Sequence, residues 1–462
     1  MSSENLGLAG AVSMALGGMI GGGIYAVLGV VAGISGTATW VAFVLAGVVA
    51  LAAAYSYNAL NAASDRAGGS VTFVQSFADD GPLSKRLGTG TLAGMVGWTL
   101  LVGYVGSMAM YAFAFAEFTL WFDAVPEAAM GVPLRPVVSV LAVAGFVALN
   151  LLGARTTGVA EAVLVAAKVG ILVAFGVVGV AFAWSYSPDV SLSYGTTSLG
   201  TVTPLMAAAI SFVAFQGWQL LFYDQDSITD PVDTIRRAVY ASIPVAVGIY
   251  VLVAVVTTNL VPRALERHPH TALVDAAEMM VSPWALGGVA ALVVSASALF
   301  STGSAINATL FSSAHFAKGL LSADLLPDRV GDGDADGIPT RTVLVLGAVT
   351  ATLAAWGSLD AITSFASLAF ILVFGGTSAL AFSRRDHDDV HPVPPAVGAV
   401  GALAFFPLMF AHLYVAERET FWLVLVIAAV VVGAELLYFE RDALESEAED
   451  VVERVEDGVT GD

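Results

Sequence analysis

Twelve apolar segments dominate the chain. They lie near 8–31, 37–63, 91–122, 134–153, 158–184, 203–224, 237–261, 284–316, 341–356, 360–382, 395–415 and 419–439. A helix needs about 20 apolar residues to cross the hydrocarbon core of a bilayer. All the segments approach or exceed that length, and the ninth is the shortest. In lipid every backbone polar group must be satisfied within the protein, so apolar runs of this length dictate helices. With 57% hydrophobic residues, 12% charged residues and a mean hydropathy of +0.83, the chain has too few polar groups to cover a water-soluble fold. The expected fold class is an all-α polytopic membrane protein with 12 transmembrane helices. The transmembrane domain is expected to span 1–439, followed by an acidic cytoplasmic tail, 440–462.

Twelve spans place both termini on one side. Thirteen of the 18 Lys and Arg residues fall on that side, and four fall opposite: Arg135, Arg263, Arg267 and Arg418. The positive-inside rule then puts both termini in the cytoplasm of a cell-membrane protein. The first apolar run is too long for a signal peptide and lacks a basic flank, so no cleavable leader is expected. With no cysteine, disulfides and thiolate metal sites are excluded. The net charge of −20 suits a high-salt cytoplasm, where screening weakens self-repulsion, and points to a halophile. No cofactor and no nucleic-acid partner are expected. Residues 65–88, after the second segment, are mildly amphipathic and are expected along the inner surface.

The first span carries GGMIGGGIYA at 17–26, in which five of ten residues are glycine. Small residues let helices pack closely, and Gly29 and Gly33 fit that reading. The denser run Gly21-Gly22-Gly23 fits an unwound segment whose freed N–H and C=O groups bind ligand in a protein-lined cavity. Transporters built from inverted repeats pair one such break with a second at the matching span. If each repeat is five spans, that partner is span six. It reads AAISFVAFQGWQLLFYDQ (208–225), with Gln216-Gly217 in mid-span.

Four stretches carry a family resemblance. GGMIGGGIYA resembles the glycine-rich first-span signature of the amino acid–polyamine–organocation (APC) superfamily. AGGSVTFVQSF (67–77) resembles its segment after span two, and FVAFQGW (212–218) its span-six break. DSITDPVDTIRRAV (226–239) is similar to the loop pattern E-E-x-x-N-P-x-x-x-I-P-R-A-I, except that Asp226 and Ser227 replace the paired Glu, Asp230 the Asn and Arg236 the second Pro. The resemblance covers spans one to ten. It implies a leucine-transporter-like 5+5 inverted repeat with broken helices 1 and 6, plus two extra helices. Repeat one would be about 8–184, repeat two about 203–382 and the extra helices about 395–439.

In such a fold the amides of the first break hold a substrate carboxylate, and span-six carbonyls hold the amine. Helix-end electrostatics agree, since half-helix N-termini favour anions and exposed carbonyls favour ammonium groups. The expected substrate-binding residues are Ile20, Gly21, Gly22, Gly23 and Ile24, facing Phe212, Ala214, Phe215, Gln216, Gly217 and Trp218. Ser107, with Tyr104 and Met108, is expected to line the same cavity from span three. No acidic residue falls at either break, so a neutral amino acid is the expected substrate.

Lys168 is the one Lys or Arg that belongs to neither side, lying well within the fifth span. A charge at mid-bilayer costs roughly 2.5–3.5 kcal/mol on insertion scales, so such a residue marks function unless it snorkels to the interface. Resemblance to sodium-independent relatives, whose span-five lysine replaces the sodium ion, implies that Lys168 couples transport to protons. Span eight still offers Ser295, Ser297, Ser301, Thr302 and Ser304, with Ser297 and Ser301 the expected coupling partners. Such hydroxyls often bond back to their own helix. A lysine and a sodium ion repel, which favours proton coupling or ion-independent exchange. A sodium-coupled or polyamine transporter of the same fold, a channel and an amino acid-sensing receptor remain alternatives. DGDADG (332–337) imitates a calcium loop, but the position that needs Glu is Val343, and it reads as an acidic loop.

Overall fold

The computed structural model describes residues 6–79, 81, 84–122, 125–153, 158–185, 192–327, 331–333, 337–387 and 390–439. The helices are α1 (Leu8–Ser35), α2 (Thr39–Ala63), α3 (Ser70–Phe77), α4 (Ser84–Leu87), α5 (Thr89–Leu120), α6 (Leu134–Leu151), α7 (Gly158–Ser185), α8 (Thr203–Ser211), α9 (Pro231–Leu260), α10 (Pro262–Arg267), α11 (Ala272–Val281), α12 (Gly287–Ser322), α13 (Thr340–Trp356), α14 (Leu359–Ser383), α15 (Val393–Ala416) and α16 (Arg418–Phe439). A two-residue hairpin, β1 (Ala128–Ala129) with β2 (Val132–Pro133), joins α5 to α6. Each apolar segment read from the sequence carries a helix. The largest difference is that the α-helix of the sixth segment, α8, ends at Ser211; in addition α9 starts at Pro231 and α12 continues to Ser322. The acidic tail lies outside the described residues.

Among the described residues, eight helical stretches are long and apolar enough to cross a membrane. The first, Leu8–Ala63, holds both α1 and α2, joined by a 3-10 turn at Gly36–Ala38. Two shorter apolar helices, Thr203–Phe215 and Thr340–Trp356, accompany them. Burial sorts the helices into a core and a rim. The apolar window of α5 is 83% buried, whereas that of α6 is 17% buried. Rim helices expose large apolar side chains, among them Leu141, Val177, Phe300 and Leu403. Such a surface is unfavourable in water and suits lipid.

At the centre, α1 packs against α5, α7, α8, α9 and α12. The start of α1 is tied to the loop after span six: Leu6 N–H donates to Ser227 O at 2.7 Å, and Thr229 N–H donates to Leu6 O at 3.0 Å. That loop ends at Asp230, which has φ +46° and precedes α9. Asn and Asp tolerate this left-handed conformation better than other non-glycine residues. Aspartate can therefore stand where the family pattern has asparagine. The amphipathic stretch after α2 forms α3, which buries Val71, Phe73 and Val74 and packs against α5 and α14.

One expectation is corrected. Helix 1 is not broken: α1 runs without interruption through Gly21, Gly22 and Gly23, none of which has positive φ. The physical reason is packing. A Cβ on Gly21 would stand 2.7 Å from Ala305 Cβ, one on Gly22 would stand 1.9 Å from Tyr111 Cδ1, and one on Gly23 would stand 2.7 Å from the Tyr250 hydroxyl. The glycines let α5, α9 and α12 close onto an intact helix.

Candidate functional site

Span six does break. A 3-10 turn at Phe212–Phe215 ends at Gln216, Gly217 takes φ +128°, and a second 3-10 turn covers Trp218–Phe222. That φ strains any L side chain. The site also has no room for one, because a Cβ on Gly217 would stand 2.7 Å from the Gly18 Cα. The backbones of α1 and the break thus meet glycine to glycine.

Buried backbone polar groups need partners, and side chains supply them at the break. Gln219 Oε1 accepts the Gly217 N–H at 2.6 Å. Ser367 on α14 accepts the Val213 N–H at 3.0 Å and donates to Ile210 O at 2.6 Å. Tyr250 on α9 reaches Ala214 O at 2.9 Å and Met19 O at 2.6 Å. A polar string extends from the break to α5. The Gln216 amide donates to the Tyr111 hydroxyl. Gln219 Nε2 donates to Gln216 Oε1 at 3.3 Å and lies 3.5 Å from the Tyr104 hydroxyl.

Of the expected residues, Gly23 lies against Ala214, while Gly217 meets Gly18 and Met19, Gly22 faces Tyr111 and Gly21 faces Ala305; Ile20, Ile24, Phe215 and Gln216 are buried. Two other expected residues face elsewhere. Phe212 packs on Phe374 and Phe405, and Trp218 stacks with Tyr57, Phe222 and Phe374. Ser107 donates back to Gly103 O in its own helix at 2.9 Å.

Lys168 is buried, with 6% of its surface exposed. Its Nζ donates to Gly17 O at 3.0 Å, at the first residue of the glycine-rich stretch. Ser297 pairs with the Tyr25 hydroxyl at 2.8 Å, joining α12 to α1. Ser301 is fully buried beside Gly21. Thr302 and Ser304 bond back to carbonyls of α12.

Sequence reasoning missed Tyr250, Tyr111, Gln219 and Ser367. Each is a polar group within an apolar span, which requires a partner. That signal gave the need for a partner without saying where the partner lies.

A cavity of about 1060 Å³ opens at the C-terminal end of α1, lined by Gly29, Gly33, His270, Asp360, His412 and Glu417 among others. It begins seven residues beyond Gly22, about 10 Å along the helix. Burial, then the nearby Asp360, raises the Glu417 carboxyl above its ordinary range. His412 Nε2, 3.9 Å away, is too distant for a good hydrogen bond. The charged form of Glu417 therefore costs stability above the ordinary carboxylate pKa. That cost disappears as pH falls below the ordinary carboxylate pKa. Glu417→Gln is expected to raise the Tm at pH 7.5 by a small amount, as befits a half-exposed group. The difference should close near pH 4. A lower Tm at pH 7.5 would refute this account.

A family model described as amino acid permease matches residues 6–434. The chain belongs to the amino acid permease family. This permease is 28% identical over 414 residues to the inner membrane transport protein YbaT of Escherichia coli K12, covering 89% of this chain and 90% of that protein. It is 31% identical over 333 residues to the uncharacterized protein MJ0609 of Methanocaldococcus jannaschii, covering 71% of each. It is 24% identical to cationic amino acid transporter 4 of mouse, over 85% of this chain and 61% of that protein. Among solved structures, the manganese transporter of Eremococcus coleocola superposes with a TM-score of 0.59 over 94% of the permease and 93% of that chain. At 12% identity that likeness speaks to fold alone. The permease is a multi-pass membrane transporter of the APC superfamily, not an enzyme.

Proposed function

We propose that this permease carries a neutral amino acid across the cell membrane by alternating access, driven by protons or by exchange. In this reading its twelve spans form two inverted five-helix repeats, about 8–184 and 203–382, with two further helices and both termini in the cytoplasm. The observation that carries the reading is the convergence of two backbones at one buried point, where the Met19 and Ala214 carbonyls both lie within 3 Å of the Tyr250 hydroxyl. Carbonyls aimed at one point suit an ammonium group. The adjacent α1 amides suit a carboxylate once the helix opens. Glycine weakens a helix by about 1 kcal/mol per residue relative to alanine, so Gly21–Gly23 lower the cost of opening by about 3 kcal/mol.

The mouse relative is named for cationic amino acids. A neutral substrate is favoured here because, among the described residues, no acidic side chain stands at the meeting of α1 and the break. The polar groups there are Gln216, Gln219, Tyr104, Tyr111 and Tyr250. The test is uptake by purified protein in proteoliposomes in high salt, with neutral, cationic and decarboxylated amino acids compared. Saturable uptake of a neutral amino acid, with counterflow, is expected. Preference for a polyamine, currents without saturation, or binding without transport would each overturn the proposal.

A further inference from the structure

Tyr250 sits where the two carbonyls meet, and it is fully buried. Its hydroxyl lies 2.6 Å from Met19 O and 2.9 Å from Ala214 O. A hydroxyl has one proton and can donate to one of them at a time. Met19 O also accepts an amide within the intact α1, whereas Ala214 O stands at the break, so when the proton points to Met19 the Ala214 carbonyl faces an oxygen lone pair. An ammonium brings three N–H donors and a positive charge. It would satisfy both carbonyls at once and in charge-assisted form.

The surroundings favour the same chemistry. The Tyr250 ring is flanked by Phe43 and Phe215, each with its centroid 5.3 Å away, and aromatic faces attract cations. On the α1 side stands Gly23. Its missing Cβ would lie 2.7 Å from the Tyr250 hydroxyl and 2.9 Å from Ala214 O, so only glycine leaves this corner open to a small polar group.

We infer that the Tyr250 hydroxyl and the ammonium of the substrate compete for the Met19 and Ala214 carbonyls, so that Tyr250 sets the selectivity for α-amino groups. The inference rests on the amino acid reading above and adds a residue to that site. Substrate binding requires the hydroxyl to give up both carbonyls. The hydroxyl in turn supplies a donor at this point when no ammonium is there, which lessens the cost of an orphaned buried carbonyl.

The test is Tyr250→Phe, which removes the hydroxyl and keeps the ring between Phe43 and Phe215. With the internal competitor gone, the KM for the best neutral amino acid is expected to fall about fivefold, the lower end of typical coupling between mutually exclusive interactions. The inhibition constant of the matching carboxylate without an amino group should not change. A residue that only holds α9 against α1 would instead lower the melting temperature and Vmax and leave KM where it was. An unchanged or higher KM, or an equal gain for the amine-free carboxylate, would overturn the inference. If Tyr250→Phe cannot be purified, Tyr250→Leu removes the same hydroxyl and carries the same expectation. Wild-type uptake separates the two levels. If the wild type carries no amino acid, the functional reading fails. If it does and the variant shows no gain in affinity, the Tyr250 inference alone fails.

Discussion

Gly22→Ala is expected to abolish uptake and to lower the thermal stability of the purified protein. The new methyl would stand 1.9, 2.2 and 2.8 Å from three atoms of the Tyr111 ring. That ring is 1% exposed, and its hydroxyl is held by the Gln216 amide, so it cannot swing aside into solvent. Overpacking a well-filled core costs about 1–3 kcal/mol, sometimes more, and here the displaced ring also strains the polar string to the span-six break. Gly376→Ala is the control. Gly376 has nothing within 4 Å of its Cβ position, and that variant should transport as the wild type does. The double variant Gly22→Ala/Tyr111→Leu removes the colliding ring and should recover much of the lost stability. Wild-type uptake by Gly22→Ala would show that α1 does not hold this packing while it works.

Lys168→Ala is expected to remove the proton dependence of uptake while sparing exchange. The Lys168 ammonium donates to Gly17 O, so the charge on α7 touches the first residue of the glycine-rich stretch of α1. A protonated lysine makes this a charge-assisted hydrogen bond, and a neutral amine makes a weaker one. In the proposed reading, loss of the proton would loosen this hold on α1 and so link the proton to the substrate site. Coupling free energies of about 1–3 kcal/mol correspond to roughly 5–150-fold. Uptake driven by an imposed proton gradient should fall within that range, at about tenfold or more. Counterflow without a gradient should persist. Equal gradient-driven uptake by the variant and the wild type would remove Lys168 from the mechanism and turn attention to Ser297 and Ser301.

The two expected breaks, of which only the one in span six forms, show where sequence reading holds and where it stops. Gly217 sits in a span, beside Gln216, with large aromatics on either side. The chain leaves the helix there because Gly217 takes a backbone conformation that other residues avoid. Gly21-Gly22-Gly23 carries the same local signal more strongly, yet α1 stays helical. Local composition sets only how cheaply a helix can open. Whether it opens depends on what packs against it, and here that is Tyr111, Tyr250 and Ala305, from helices far along the chain. The same limit applied to Phe212 and Trp218, which were legible as aromatics flanking a break. Their facing Phe374 was set by the position of α14.

The sequence by itself determined the helical segments, their apolar character and the family. Hydropathy and glycine punctuation act over neighbouring residues and need no knowledge of the fold. It also singled out Lys168, because a charge in an apolar run is conspicuous wherever the run ends up. Only the tertiary structure decided which carbonyls are left facing one hydroxyl, which glycines admit a ring and which admit a backbone, and that Tyr250 rather than any motif residue stands between α1 and the break. Those outcomes are contacts between residues up to 231 positions apart, fixed by how the helices cross rather than by the residues on either side of them in the chain.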